Sequence, residues 1–221
     1  MAQGLHVGAR AEAGWTTSAD LAGAGLERAL AIVGRQLNTD RLDIQGQRIV
    51  EVVAWWLGLP AAHALLDDDR LPDLSPENTR VWVHEDEAPD GIGTLVLEER
   101  YQPASLSQLD AYVEAHVGEL IDAVCAHTKR PAKALRRGVA DRVAGALIWA
   151  AQTRGDEPRG CALAKRAYED IDLRTLELPG YALTVHVRSG CCLYYRIPDK
   201  PKCWGCPLLT DDERRALTSN A

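Results

Sequence analysis

The sequence predicts an α+β protein, mostly helical, with a small antiparallel β component and a cysteine-rich segment near its C-terminus. Three observations carry that expectation. Apolar residues recur at helical spacing over several long stretches. β-rich runs occur only near 80–100 and 181–188, and four of the six cysteines lie between Cys191 and Cys206.

Residues 18–37 form the first expected helix, with Ser18 or Asp20 as N-cap and Leu26, Leu30, Val33 and Leu37 at helical spacing. Gly23 and Gly25 weaken its first turn. A second helix is expected over 45–58, with Ile49, Val52, Val53, Trp56 and Leu57 on its apolar side. Pro60 suits the first turn of a short third helix ending in Asp67, Asp68 and Asp69. Glu51, Pro60 and His63 interrupt the apolar run 49–66, which therefore reads as two buried helical pieces rather than a transmembrane segment.

"LPDLSPENT" is a turn-rich connector. "RVWVHED" and "GTLVLEER" follow as the two arms of a hairpin with a long acidic loop. Ser105 and Gln108 open a further helix as a candidate capping box, with Leu109, Val113, Val117, Leu120 and Val124 on one face. After Pro131, Leu135, Val139, Val143 and Leu147 step by four, and another helix is expected over 157–169. "YALTVHVR" alternates as a strand and leads into the cysteines. The chain thus divides into a mainly helical body, 1–180, and a cysteine-bearing segment, 181–221.

The 221 residues carry a net charge of −7, so a nucleic-acid polyanion is not an expected partner. Phe is absent, and six Trp and six Tyr supply the aromatic volume. The N-terminus lacks the unbroken apolar core of a secretory signal, and the expected location is the cytoplasm, peripheral association with the inner face of the membrane included. Clustered cysteines in a reducing compartment are more often metal ligands or redox-active thiols than disulfides.

The cysteines follow the spacing Cys-Cys-x10-Cys-x2-Cys: Cys191, Cys192, Cys203 and Cys206. Four soft thiolates select zinc, copper(I) or an iron–sulfur cluster. Cys203-Trp-Gly-Cys206 is a good zinc knuckle, but Cys191 and Cys192 have no spacer. Neighbouring residues in a strand point to opposite faces, so the backbone must turn at the pair, with Gly190 supplying the freedom. Adjacent sulfurs also suit a two-metal centre better than one small ion. Arg188, Arg196, Lys200 and Lys202 surround the segment against Asp199 alone, and positive charge there favours the reduced form of an iron–sulfur cluster.

Other candidates carry milder readings. Cys125 and Cys161 are isolated helical thiols, and His186 is expected in strand packing or solvent contact. His116 and His127 are expected at the surface or boundary, and Trp149 in the core. The basic run Lys129, Arg130, Lys133, Arg136, Arg137 and Arg142 reads first as a solvated helix face, and second as a docking surface. Of Tyr194 and Tyr195, one is expected to pack over the metal centre and the other to face a substrate.

The stretch "RSGCCLYYRIPDKPKCWGCPL" resembles the C-terminal 2Fe–2S motif of the FhuF-like ferric-siderophore reductases. The likeness includes the arginine before the pair, the Leu-x-Tyr after it and the closing Cys-Pro-Leu. "LPAAHALLDDDRLPDLSPENTRVWV" and "VADRVAGALIWAA" are similar in outline to that family's helical body, which is shared with the C-terminal part of siderophore synthetases. The resemblance implies a 2Fe–2S cluster on Cys191, Cys192, Cys203 and Cys206, with no catalytic side chain beyond it. It implies one-electron reduction of iron(III) held in a siderophore and release of the iron in the cytoplasm; the expected partners are a hydroxamate-type ferric siderophore and, as electron donor, a ferredoxin or flavoprotein reductase. Arg188, Tyr194, Tyr195, Arg196 and Lys202 are then candidates for docking substrate or donor. Two rival readings are a four-cysteine zinc or iron–sulfur sensing module without reductase activity, and a siderophore-synthetase relative that only binds the chelator.

Overall fold

The protein is described by a computed structural model covering residues 5–7, 15–83 and 92–218. In chain order its elements are β1 (Leu5–Val7), β2 (Trp15–Thr16), α1 (Ser18–Ala22), α2 (Leu26–Leu37), α3 (Leu42–Asp67), β3 (Arg70–Pro72), β4 (Thr79–Val83), β5 (Ile92–Val96), β6 (Tyr101–Pro103), α4 (Leu106–Thr128), α5 (Ala132–Gln152), α6 (Glu157–Ala167), β7 (Asp172–Leu178), β8 (Tyr181–Val187) and α7 (Asp211–Thr218). The α+β expectation holds, with one addition to its antiparallel strands: β1 pairs with β5 in parallel.

The helix expected over 18–37 is broken at its glycines. Thr17, rather than Ser18 or Asp20, caps α1, and the Asp20 side chain returns the bond to complete a capping box. After Ala22 the chain turns through Gly23 and Gly25 before α2 begins.

The two pieces expected over 45–69 are a single helix. α3 runs through Pro60, which lacks only the N–H that would have reached back one turn. Tertiary packing outweighs that loss, because α3 is apolar nearly all round and most of its residues between Ile44 and Leu66 are buried. Small residues let its neighbours close in. A Cβ at Gly46 would meet Val124 of α4, and one at Gly58 would meet Val143 and Ala146 of α5. By length and composition α3 could cross a membrane, but 78% of its most apolar window is buried inside the protein, as in a core helix.

α4 begins at its expected cap, where Ser105 accepts from the backbone N–H of Gln108. α5 starts after Pro131 and lies against α3 and α6. The expected hairpin is present as β4 and β5, with its loop outside the described residues. These strands form a sheet of order β1-β5-β4-β2, in which Trp15 packs against Trp82 with ring centroids 5.3 Å apart. The connector expected after α3 contains β3, which pairs with β6.

The strand predicted at 181–188 is β8. Its partner β7 is joined through a two-residue turn, Pro179–Gly180, where Gly180 takes φ 87°. β8 hands the chain directly to the cysteine segment. That segment is followed by α7, whose first turn is closed by Thr210 and Glu213 bonding reciprocally.

Candidate metal centre

The turn that carries the first cysteine pair is built by α5. Asp141, buried on that helix, accepts from the backbone N–H of Ser189 and of Gly190, each at 2.9 Å. Gly190 is required here for closeness rather than for an unusual torsion. A Cβ on it would lie 3.2 Å from the Cβ of Arg137 and 3.2 Å from the backbone nitrogen of Gly138. The left-handed residue comes after the pair, at Leu193 with φ 61°. The reversal expected at Gly190 is thus spread over Gly190 to Leu193, and Cys191 and Cys192 lie outside any regular strand.

A single 3-10 turn, Tyr194–Arg196, then reverses the chain toward Cys203. The second pair sits on its own turn, with the Cys206 N–H donating to the Cys203 carbonyl at 2.9 Å. This knuckle is pinned to the end of β8. Arg188 N–H donates to the Gly205 carbonyl at 2.9 Å, and a Cβ at Gly205 would fall 2.7 Å from the His186 carbonyl oxygen. Arg214 of α7, fully buried, donates to the Cys206 carbonyl at 2.6 Å and to the Leu209 carbonyl at 2.8 Å. α7 thereby closes the segment from below.

All six cysteines are free thiols, and Cys192 and Cys206 are buried while Cys191 and Cys203 are half-buried. The Sγ atoms of Cys192 and Cys203 stand 3.6 Å apart. Two thiolates on one tetrahedral metal, each at about 2.3 Å, lie about 3.8 Å apart, so this separation fits shared ligation. The hydrogen bond between them lowers the Cys192 thiol to about 6, with Arg188 assisting against burial, and raises its partner Cys203. One of the pair is therefore readily a thiolate, as ligation requires. Cys191 and Cys206 complete the neighbourhood, since each bears on the electrostatics of the others. Among the described residues no group of three or more His, Cys, Asp or Glu side chains is gathered about one point to hold a metal ion. What the structure does bring together is one sulfur from each pair, Cys192 and Cys203, with the thiols of Cys191 and Cys206 next to them in the chain, a donor set of the kind an iron–sulfur centre takes.

Behind the cysteines lies a buried charge network that the sequence reading did not anticipate. Glu51 of α3, 1% exposed, pairs with Arg188 and with Arg142 and accepts from Gln47 at 2.6 Å. Burial alone would raise its carboxyl, but the two guanidiniums overcome that and hold it at about 2. Arg188 also approaches Asp141 at 3.7 Å, as His186 does at 3.4 Å. Arg130 links the network to the turn, donating to Gln47 and to the Cys191 carbonyl at 2.8 Å. An acidic residue inside the apolar run "IVEVVAWW" was the available signal, because a buried carboxylate must find a partner.

A cavity of 530 Å³ opens beside the sulfurs, with Cys192 and Cys203 on its wall and Arg48, Trp55, Arg142, Tyr194 and Lys200 around it. Of the five docking candidates, the structure brings Tyr194 and Arg188 to this cavity, and Arg188 is committed to Glu51. Tyr194 lies under the Arg48 guanidinium, 5.8 Å from its ring centroid. Tyr195 and Arg196 contact each other, and Arg196 lines a separate groove with Arg41 and Asn38. Lys202 turns toward the Leu208 carbonyl and Glu213. Arg48, Trp55, Arg142 and Lys200 are among the wall residues outside those five.

The remaining expectations divide. Cys125 and Cys161 are half-buried thiols on α4 and α6, both raised by burial. His127 is exposed, but His116 is buried, bonded to Ser18 at 2.9 Å and to the Leu74 carbonyl at 2.7 Å. Its place between α4, α1 and the β3–β4 connector replaces the surface position expected for it. Trp149 is 43% exposed rather than core, standing edge-on to Trp55 with centroids 6.1 Å apart. Its other ring neighbour is His63 of α3, with centroids 6.3 Å apart, so it covers the outer side of α3 instead of entering the core.

Residues 188–208 match the profile of the FhuF 2Fe-2S C-terminal domain. The match covers the whole interval from Arg188 to Leu208 and thus both cysteine pairs. It supports the FhuF-like resemblance, and it makes the cofactor of this segment a 2Fe–2S cluster. No curated protein matches the chain.

Proposed function

We propose that the protein is an iron–sulfur ferric-siderophore reductase of the cytoplasm, with Cys191, Cys192, Cys203 and Cys206 as the ligands of its cluster. The observation that carries this reading is the cavity beside Cys192 and Cys203, within the segment that matches a 2Fe–2S domain. A 2Fe–2S cluster takes up and gives out one electron at a time. The substrate is iron(III) in a chelate of hard oxygen donors. One electron converts it to iron(II), which those donors hold weakly, so the metal leaves with no bond of the carrier broken.

The side chains have correspondingly simple tasks. Arg48 and Lys200 offer hydrogen-bond donors to the chelate's oxygens, and Trp55 and Tyr194 provide flat apolar surface. We take the chelate to be of hydroxamate type, whose outer oxygens accept from such groups. No general acid, base or nucleophile is needed, and the network behind the sulfurs holds the site rigid. For the donor, a ferredoxin or flavoprotein reductase, the exposed Lys129, Lys133 and Arg137 offer a basic edge beside the cysteine turn.

The test is anaerobic stopped-flow mixing of reduced protein with ferric hydroxamate and ferric carboxylate siderophores, with an iron(II) chelator present. Reoxidation of the protein with matching iron(II) capture is expected. Reduced protein that no chelate reoxidises would favour a sensing role.

A further inference from the structure

The amides around the cysteine pair are shared out in an ordered way. The two N–H groups before the pair, on Ser189 and Gly190, both go to the carboxylate of Asp141 at 2.9 Å. After the pair the pattern changes: Leu193 N–H lies 3.4 Å from Cys191 Sγ. Asp141 is almost fully buried, and His186 and Arg188 flank it from β8 and the residue that follows.

Hydrogen bonds to the sulfurs and nearby positive charge raise the potential of an iron–sulfur centre, while negative charge lowers it. In Asp141 both levers point the same way. Its carboxylate adds a buried negative charge against Gly190, the residue before the pair, and it holds the Ser189 and Gly190 amides on itself. We infer that Asp141 is the positioning residue of the cysteine turn and keeps the 2Fe–2S centre a strong reductant by withholding the Ser189 and Gly190 amides from it. This deepens the proposed function, on which it rests for the assignment of the ligands. A strong reductant is what chelated iron(III), stabilised by hard oxygen donors, demands of its partner.

The neutral near-isostere Asp141→Asn removes the charge and can accept from only one of the two amides. Asp141→Glu keeps the charge. The experiment is an anaerobic redox titration of the holoprotein, wild type and both variants, followed by the electron-paramagnetic-resonance signal of the reduced centre. At the potential where wild type is half reduced, Asp141→Asn is expected to be at least about ten parts reduced to one oxidised, a shift of about 59 mV for a one-electron couple. Asp141→Glu is expected to stay near the wild-type ratio. An Asp141→Asn ratio that is unchanged or lowered overturns the inference, and so does an Asp141→Glu value displaced as far as that of Asp141→Asn, since loosened packing would then suffice.

Should the asparagine variant lose its centre, wild-type protein labelled with 15N at serine and glycine supplies a second reading. The electron spin is expected to couple weakly to the Ser189 and Gly190 amides, and strong coupling to either overturns the inference. A wild-type protein with no such signal at all would instead refute the cluster assignment, so the two failures are distinct.

Discussion

Replacing Glu51 by glutamine removes the negative member of the buried network while keeping its shape. The buried Arg188 would then keep only Asp141, 3.7 Å away, and the partly exposed Arg142 would lose its carboxylate. The Glu51 carboxyl is held at about 2 against an ordinary 4.5. At about 1.36 kcal/mol per unit, this depression corresponds to about 3 kcal/mol of stabilisation. That agrees with the roughly 3–5 kcal/mol lost when one partner of a buried pair is removed. For a chain of this length, about 2–4 °C of apparent Tm goes with each kcal/mol, so Glu51→Gln should melt about 6–12 °C below wild type. The sign with pH follows from the lowered carboxyl. The stabilisation is fully present above the unfolded-state value near 4.5 and is lost as pH falls toward about 2. Circular-dichroism melts of both holoproteins should therefore show a constant gap from pH 8 to about 5.5. A gap under about 1 kcal/mol at pH 7, or one that closes between pH 8 and 6, would refute the reasoning.

Cysteine replacement should separate ligands from bystanders. Serine at position 191, 192, 203 or 206 should abolish the visible absorption of anaerobically purified protein, whereas Cys125→Ser and Cys161→Ser should keep it. Gly205→Ala must push its new Cβ away from the His186 carbonyl, 2.7 Å distant. It should cost about 1–3 kcal/mol in thermal melts and reduce iron content, and a neutral result would show that the knuckle is not pinned to β8. Lys200→Glu reverses a charge on the cavity wall. It should raise KM for a ferric siderophore roughly tenfold while leaving kcat nearly unchanged, and an unaltered KM would place the substrate elsewhere.

Local signals in the sequence carried the parts of the fold that depend on local physics. α4 and α5 follow from apolar period plus a serine cap or a proline start, and the hairpin of β4 and β5 from β-rich runs around an acidic loop. α3 was divided because proline is a local helix breaker, whereas the energy that keeps it continuous comes from α4 and α5 on either side. α7 was missed although Thr210-x-x-Glu213 is a legible capping box. At the candidate site the grouping of the four cysteines was legible from their spacing, and the 2Fe–2S cluster from the resemblance, which the match over 188–208 supports. The supports behind them were not, since Glu51 and Asp141 come from helices far away in sequence. Arg188 illustrates the difficulty: a basic residue beside a metal motif reads as a docking group, and only the packed protein shows its guanidinium turned inward to Glu51.

The most direct measurement is a stoichiometric one on anaerobically purified protein: iron, acid-labile sulfide and zinc per chain, followed by one-electron reduction and titration with a ferric siderophore. About two irons and two sulfides per chain are expected, with each reduced centre reoxidised by about one equivalent of chelated iron(III) and an equal amount of iron(II) released. A colourless protein holding zinc, or an iron–sulfur centre that ferric siderophores leave reduced, would contradict the account.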